Sequence, residues 1–178
     1  MVKKHYYSWQ DVENMCVNIA TQMYKDNWRP DYIVGITRGG NVPATILSNM
    51  LDIRCEALKV SLRDNGNGES ESNLWMPEDA FGYFQQGQTD NEGKKILIVD
   101  DINDTGATFH WIKKDWQDSC LPKHDRWNTV WGNNVRFATL TENLSSCFDG
   151  VSYRAHEINK AEEDVWLVYP WENVGEYK

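Results

Sequence analysis

Residues 96–108, Ile-Leu-Ile-Val-Asp-Asp-Ile-Asn-Asp-Thr-Gly-Ala-Thr, restrict the fold more than any other stretch of the chain. An apolar run of strand length ends in two adjacent acids. The turn behind them opens a helix marked by Phe109, Ile112 and Trp116 at helical spacing. A strand that is apolar on both faces and leads into a helix belongs to a mainly parallel sheet covered by helices. The turn itself carries chemistry. Successive backbone N–H groups at Asp104, Thr105, Gly106, Ala107 and Thr108 form a concave anion site that the helix dipole reinforces. Thr105 and Thr108 add hydroxyl donors, and Gly106 lets backbone approach a phosphate closely. Asp100 and Asp101 repel phosphate; they suit ribose hydroxyls or a magnesium ion, which prefers oxygen ligands and shared phosphates. Neither GxxxxGK[ST] nor GxGxxG is present in this segment.

A second loop has the same layout. Residues 32–36, Tyr-Ile-Val-Gly-Ile, form a strand-length run that ends in Thr37-Arg38-Gly39-Gly40, and Pro43 suits the first turn of a helix reaching about Leu51. Arg38 offers a cation, and Gly39 and Gly40 offer unobstructed backbone N–H groups, to a diphosphate. Elsewhere, Ser8 with Asp11 behind it predicts a capped helix to about Lys25. Further strands are expected at 57–62, 135–140 and 165–168. Strands alternating with helices predict an α/β fold whose ligands bind beyond the carboxyl ends of the strands. Residues 63–94 are dense in Gly, Asn, Ser, Glu and Gln, and a loop of that length is usually functional. Its aromatics Trp75, Phe81, Tyr83 and Phe84 form either a satellite cluster or a subunit contact.

At 178 residues the chain has the size of one domain. Its net charge of −9 argues against a nucleic-acid partner. Four scattered cysteines, without a CxxC pair, argue for reduced thiols in the cytoplasm. No apolar run suggests a signal peptide or a membrane span.

The two loops together resemble the type I phosphoribosyltransferase family, most closely its bacterial xanthine–guanine (6-oxopurine) members. The match to the first loop, the signature for phosphoribosyl pyrophosphate (PRPP), holds at nearly every position. The resemblance implies a single-domain fold with a small C-terminal hood over about 151–178 and a mobile catalytic loop over 63–94. It implies transfer of the phosphoribosyl group of PRPP to N9 of a purine, with Mg²⁺ as cofactor and a homo-oligomeric assembly. In that scheme Asp100 holds a ribose hydroxyl, Asp101 helps to bind magnesium, residues 105–108 seat the 5′-phosphate, and residues 38–40 hold pyrophosphate through a loop that often has a non-proline cis peptide. Asp104 handles the proton at purine N7. Arg63 reaches toward pyrophosphate.

Residues 163–172 are similar to the hood of the bacterial enzymes. By that similarity Trp166 stacks on the base and Leu167 lends a carbonyl, whereas Trp171 reads as a packing residue. One departure stands out. Where the family places a lysine that reads the 6-oxo group, this chain has Asn143 or Glu142. Asn suits a carbonyl and Glu an amino group, so a same-fold transferase for an amino-substituted or pyrimidine base is the alternative. A non-catalytic PRPP- or nucleotide-sensing regulator is the other.

Overall fold

The computed structural model describes residues 1–60, 75–82 and 93–175. Five parallel strands make the central sheet: β2 (Tyr32–Thr37), β3 (Cys55–Lys59), β4 (Ile96–Asn103), β5 (Val135–Asn143) and β6 (Val151–Ile158), ordered β3-β2-β4-β5-β6. The chain moves from β2 outward to β3, then returns past β2 to β4. A crevice therefore opens between the ends of β2 and β4, where the winding direction reverses. Strand β4 runs four residues beyond the apolar stretch read from the sequence. Its acids continue the ladder because Asp100, Ile102 and Asn103 pair with Thr139, Thr141 and Glu142 of β5.

Period-two alternation divides the sheet's side chains between two cores. Ile33, Leu97 and Val99 face α1 (Trp9–Lys25) and α2 (Asn41–Leu51), with Val12, Cys16, Ile19, Ala44 and Leu47. Tyr32, Val34, Ile96 and Ile98 face α4 (Ala107–Ser119), with Phe109, Ile112 and Trp116. Ser8 caps α1 as expected: its Oγ accepts from Asp11 N, and Asp11 Oδ2 accepts from Ser8 N.

Inside the predicted 63–94 loop lies α3 (Trp75–Phe81), whose Met76, Ala80 and Phe81 are buried in the second core. Tyr32 Oη donates to Asp79 Oδ2 at 2.9 Å, and the Arg54 guanidinium lies over the Tyr32 and Trp75 rings. Trp75 and Phe81 are therefore core-packing residues; Arg63, Tyr83 and Phe84 lie outside the described residues. The hood also differs from its expected extent. Val151–Ile158 is the edge strand of the main sheet, and the separate two-stranded sheet joins β7 (Val165–Val168) to β1 (Lys3–Tyr6), in parallel. Trp171 stacks on Tyr169 with ring centroids 4.7 Å apart and packs against the first core.

Trp116 is fully buried between α4 and the sheet. Trp116→Ala is expected to cost roughly 3–5 kcal/mol. Thermal unfolding followed by circular dichroism would show it as a fall of roughly 10 °C or more in Tm.

Candidate active site

Two helices begin at the crevice, and neither has a side-chain cap. Gly40 precedes α2 and Gly106 precedes α4, so the N-cap residue offers no side chain to either first turn. Among the described residues only Asn41 N, to Arg38 O at 3.1 Å, and Ala107 N, to Thr105 Oγ1 at 3.3 Å, have a local acceptor. This contrasts with the full capping box on α1. The other first-turn N–H groups can take an external acceptor, and an anion is the natural one. Gly106 has φ +92°, and a Cβ there would lie 2.6 Å from Phe148 N, so the turn into α4 requires glycine. Residues 100–109 line a pocket of about 190 Å³. The phosphate loop and both acids thus come together, with Asp104, Thr105, Gly106, Ala107 and Thr108 on one wall.

The Arg-Gly-Gly loop meets the acids from the neighbouring strand end. Arg38 is exposed, and the Thr37–Arg38 peptide is cis. Gly39 lies so close to Asp101 that a Cβ would fall 2.3 Å from its Oδ2. A Cβ on Gly40 would fall 2.3 Å from Val99 O. The Arg-Gly-Gly loop therefore packs through Gly39 against the Asp101 carboxylate and through Gly40 against strand backbone, and only the second contact is with atoms that cannot turn aside.

Asp100 and Asp101 are partly buried, and among the described residues neither forms an ion pair with a Lys or Arg. Burial pushes the Asp100 carboxyl well above the ordinary carboxylate range, and the adjacent Asp101 charge adds to this. Burial also raises Asp101, against hydrogen bonds that favour its charged form, from Asp100 and Ile102 N. A divalent cation with oxygen preference fits this pair. Magnesium is usually held by one or two carboxylates and completed by substrate phosphates, so two acids suffice.

A carboxyl with a raised folded-state pKa holds its proton more tightly when folded. Its contribution to stability is full below the unfolded pKa and is lost as pH rises through the raised value. Asp100→Asn is accordingly expected to stabilise the ligand-free protein by about 0.5–2 kcal/mol at neutral pH. The gain should vanish toward acid pH, as Tm measured against pH for both proteins would show.

Behind the phosphate loop lies a set of contacts that the sequence did not announce. Asn103 is buried; its Nδ2 donates to Glu142 Oε1 and Phe148 O, and its Oδ1 accepts from Ser146 Oγ. Thr105 O accepts from Cys147 N and Sγ. Tyr169 Oη donates to Asp101 O at 3.0 Å, which ties the hood to the acid pair. Buried polar residues at strand ends were the available signal for Asn103; nothing marked Ser146 or Cys147.

The base-side residues differ in their surroundings. Glu142 is turned inward to Asn103, and burial raises its pKa. Asn143 is buried, with Nδ2 donating to Asp104 O at 2.9 Å and Oδ1 accepting from Ser145 Oγ at 2.8 Å. Trp166 is 60% exposed on the open face of β7. The Leu167 side chain is buried in the first core, leaving only its backbone for a ligand. Lys160 was not foreseen: its Nζ lies 3.0 Å from Asp104 Oδ1.

A switch-point crevice where two glycine-led helices begin beside paired acids defines an α/β protein whose strand ends suit a phosphorylated ligand. More specifically, residues 3–146 match the phosphoribosyl transferase domain, and the chain belongs to that family. The hypoxanthine-guanine phosphoribosyltransferase of Schizosaccharomyces pombe is 27% identical, with 94% of this chain and 88% of the relative covered. Xanthine phosphoribosyltransferase 1 of Saccharomyces cerevisiae is 26% identical, with 96% and 90% covered. A solved Helicobacter pylori xanthine-guanine-hypoxanthine phosphoribosyltransferase superposes with TM-score 0.65 at 18% identity, covering 97% of this chain and 95% of that one.

Proposed function

We propose that this protein transfers the phosphoribosyl group of PRPP to N9 of a purine of the guanine, xanthine or hypoxanthine type, releasing pyrophosphate, in purine salvage. The observation that carries the reading is the contact of Gly39 with the Asp101 carboxylate. It puts a diphosphate-suited loop and a sugar-phosphate-suited loop on either side of one acid pair. PRPP has that spacing of groups: a phosphate at C5, hydroxyls on the ring and a diphosphate at C1. The names of the relatives support the purine as acceptor.

In the reaction the C1–oxygen bond to pyrophosphate breaks and the N9–C1 bond forms. Residues 105–108 hold the 5′-phosphate with main-chain amides and the Thr105 and Thr108 hydroxyls. Asp100 orients a ribose hydroxyl, and Arg38, Gly39 and Gly40 hold the departing diphosphate. Asp104 accepts the proton from purine N7, so that N9 carries the electron pair that attacks C1. Magnesium, held by Asp101 and the diphosphate, would neutralise charge on the leaving group. Trp166 stacks on the base, and Leu167 contributes a carbonyl. The four free cysteines are compatible with a cytoplasmic location, and a homo-oligomer is the expected assembly.

The direct test incubates the protein with Mg²⁺, PRPP and a panel of purines and pyrimidines while following pyrophosphate release. Turnover with a 6-oxopurine is expected. Tight PRPP binding without any turnover would favour a nucleotide-sensing regulator instead.

A further inference from the structure

Lys160 belongs to the turn between β6 and β7, and two separate restraints bring it to Asp104. Its backbone N–H donates to Asn143 Oδ1 at 3.0 Å. The same carboxamide donates from Nδ2 to the carbonyl oxygen of Asp104 at 2.9 Å. One buried side chain at the end of β5 therefore joins the end of β4 to the β6–β7 turn. Asn159 closes that turn, its Oδ1 accepting from Ala161 N and its carbonyl from Glu162 N and Glu163 N. The Lys160 side chain is only 22% exposed, whereas Asp104 is 44% exposed. A cation held this firmly beside a half-open carboxylate adds little to folding, because such pairs are screened by solvent. Its value lies in what the ammonium can still donate. Lysine has three N–H donors and no acceptor, and Asp104 Oδ1 occupies one direction.

We propose that Lys160 is a specificity-determining residue that reads the 6-substituent of the purine, admitting an oxo group and excluding an amino group. The inference rests on the reading that Asp104 faces purine N7. In a purine the substituent beside N7 on that edge is at position 6. Guanine places an acceptor oxygen there, adenine an amino donor. An ammonium beside the N7 partner matches the first and opposes the second, leaving two donors facing each other. Asn143 becomes a positioning residue, since its oxygen already accepts from Ser145 N, Ser145 Oγ and Lys160 N. The donor that seemed absent after β5 is supplied from the next connection in the chain.

Titration calorimetry on the full chain separates the inference from the reading beneath it. The probes are PRPP with Mg²⁺, GMP and AMP, and the proteins are the wild type, Lys160→Met and Lys160→Arg. The wild type is expected to bind GMP roughly 10²-fold tighter than AMP. Lys160→Met should weaken GMP and relieve the opposition to AMP, so that most of the roughly 10²-fold preference is lost with PRPP unchanged, and Lys160→Arg should restore part of the preference. A GMP preference that survives in Lys160→Met, or equal loss of both nucleotides, overturns the role of Lys160 alone. So does a wild type that binds PRPP but favours AMP. A wild type that binds none of the three overturns the transferase reading and the inference with it.

Discussion

Asp104→Asn is expected to lower kcat roughly 10²- to 10⁴-fold, the range for loss of a positioned proton acceptor. The substitution preserves shape, so the phosphate loop should keep its form. Asn143 Nδ2 donates mainly to the carbonyl oxygen of residue 104, at 2.9 Å, and only at 3.4 Å to the side chain. The backbone amides of residues 105–108 do not depend on the carboxylate. The loss should thus fall on kcat, with a much smaller change in KM for PRPP. Steady-state kinetics with saturating base would resolve the two. An Asn variant with near-normal kcat would remove Asp104 from the chemistry, and with it the geometric basis for a purine N7 contact.

Gly39→Ala should produce an effect of similar size by a different route. The new methyl group would sit 2.3 Å from Asp101 Oδ2 and 2.6 Å from Asp101 Cγ. Real Cβ atoms do not approach that closely, so the carboxylate must turn away. Its removal takes an acid from the cation-suited pair and opens the seam between the two loops. PRPP affinity measured with Mg²⁺ is expected to fall about 10²-fold, a cost typical of a misplaced charged hydrogen-bonding group. The fold should survive, because the obstacle is the end of a side chain. Gly40→Ala provides the contrast. Its methyl would meet Val99 O at 2.3 Å and Ile36 N and O at 2.8 Å, all backbone. That variant should lose several kcal/mol of stability, visible in thermal unfolding before any ligand is added. If Gly39→Ala bound PRPP normally, the seam between the loops would have no role in the ligand site.

Much of this was readable in advance because the controlling interactions are local. A strand, a glycine turn and a helix start are encoded within a dozen residues, and for 96–108 each residue type has one obvious use. Hence the phosphate loop, the Arg-Gly-Gly loop and the capped first helix lie where their residues imply. Reading failed where a residue's partner is distant. The acids of β4 resemble turn residues until β5 is placed beside them and the ladder continues to Asn103. The helix Trp75–Phe81 is hidden in a polar stretch because its stability comes from Tyr32 and the second core. Likewise β1, Lys3–Tyr6, is exposed and short; it is a strand only because β7 pairs with it from the far end of the chain.

The sequence alone determined the sheet class, the anion-binding corner and the types of group available to a phosphorylated sugar. These follow from backbone geometry and from chemistry carried by adjacent residues. Tertiary structure alone decided which side chains meet across those loops. Asn143, a candidate base reader by position, is consumed in joining three segments. Lys160, which has no distinguishing neighbour in the sequence, reaches Asp104 because the β6–β7 turn folds back over the strand ends. A hydrogen bond between residues more than fifty positions apart leaves no periodicity or spacing in the chain, so only the packed fold reveals it.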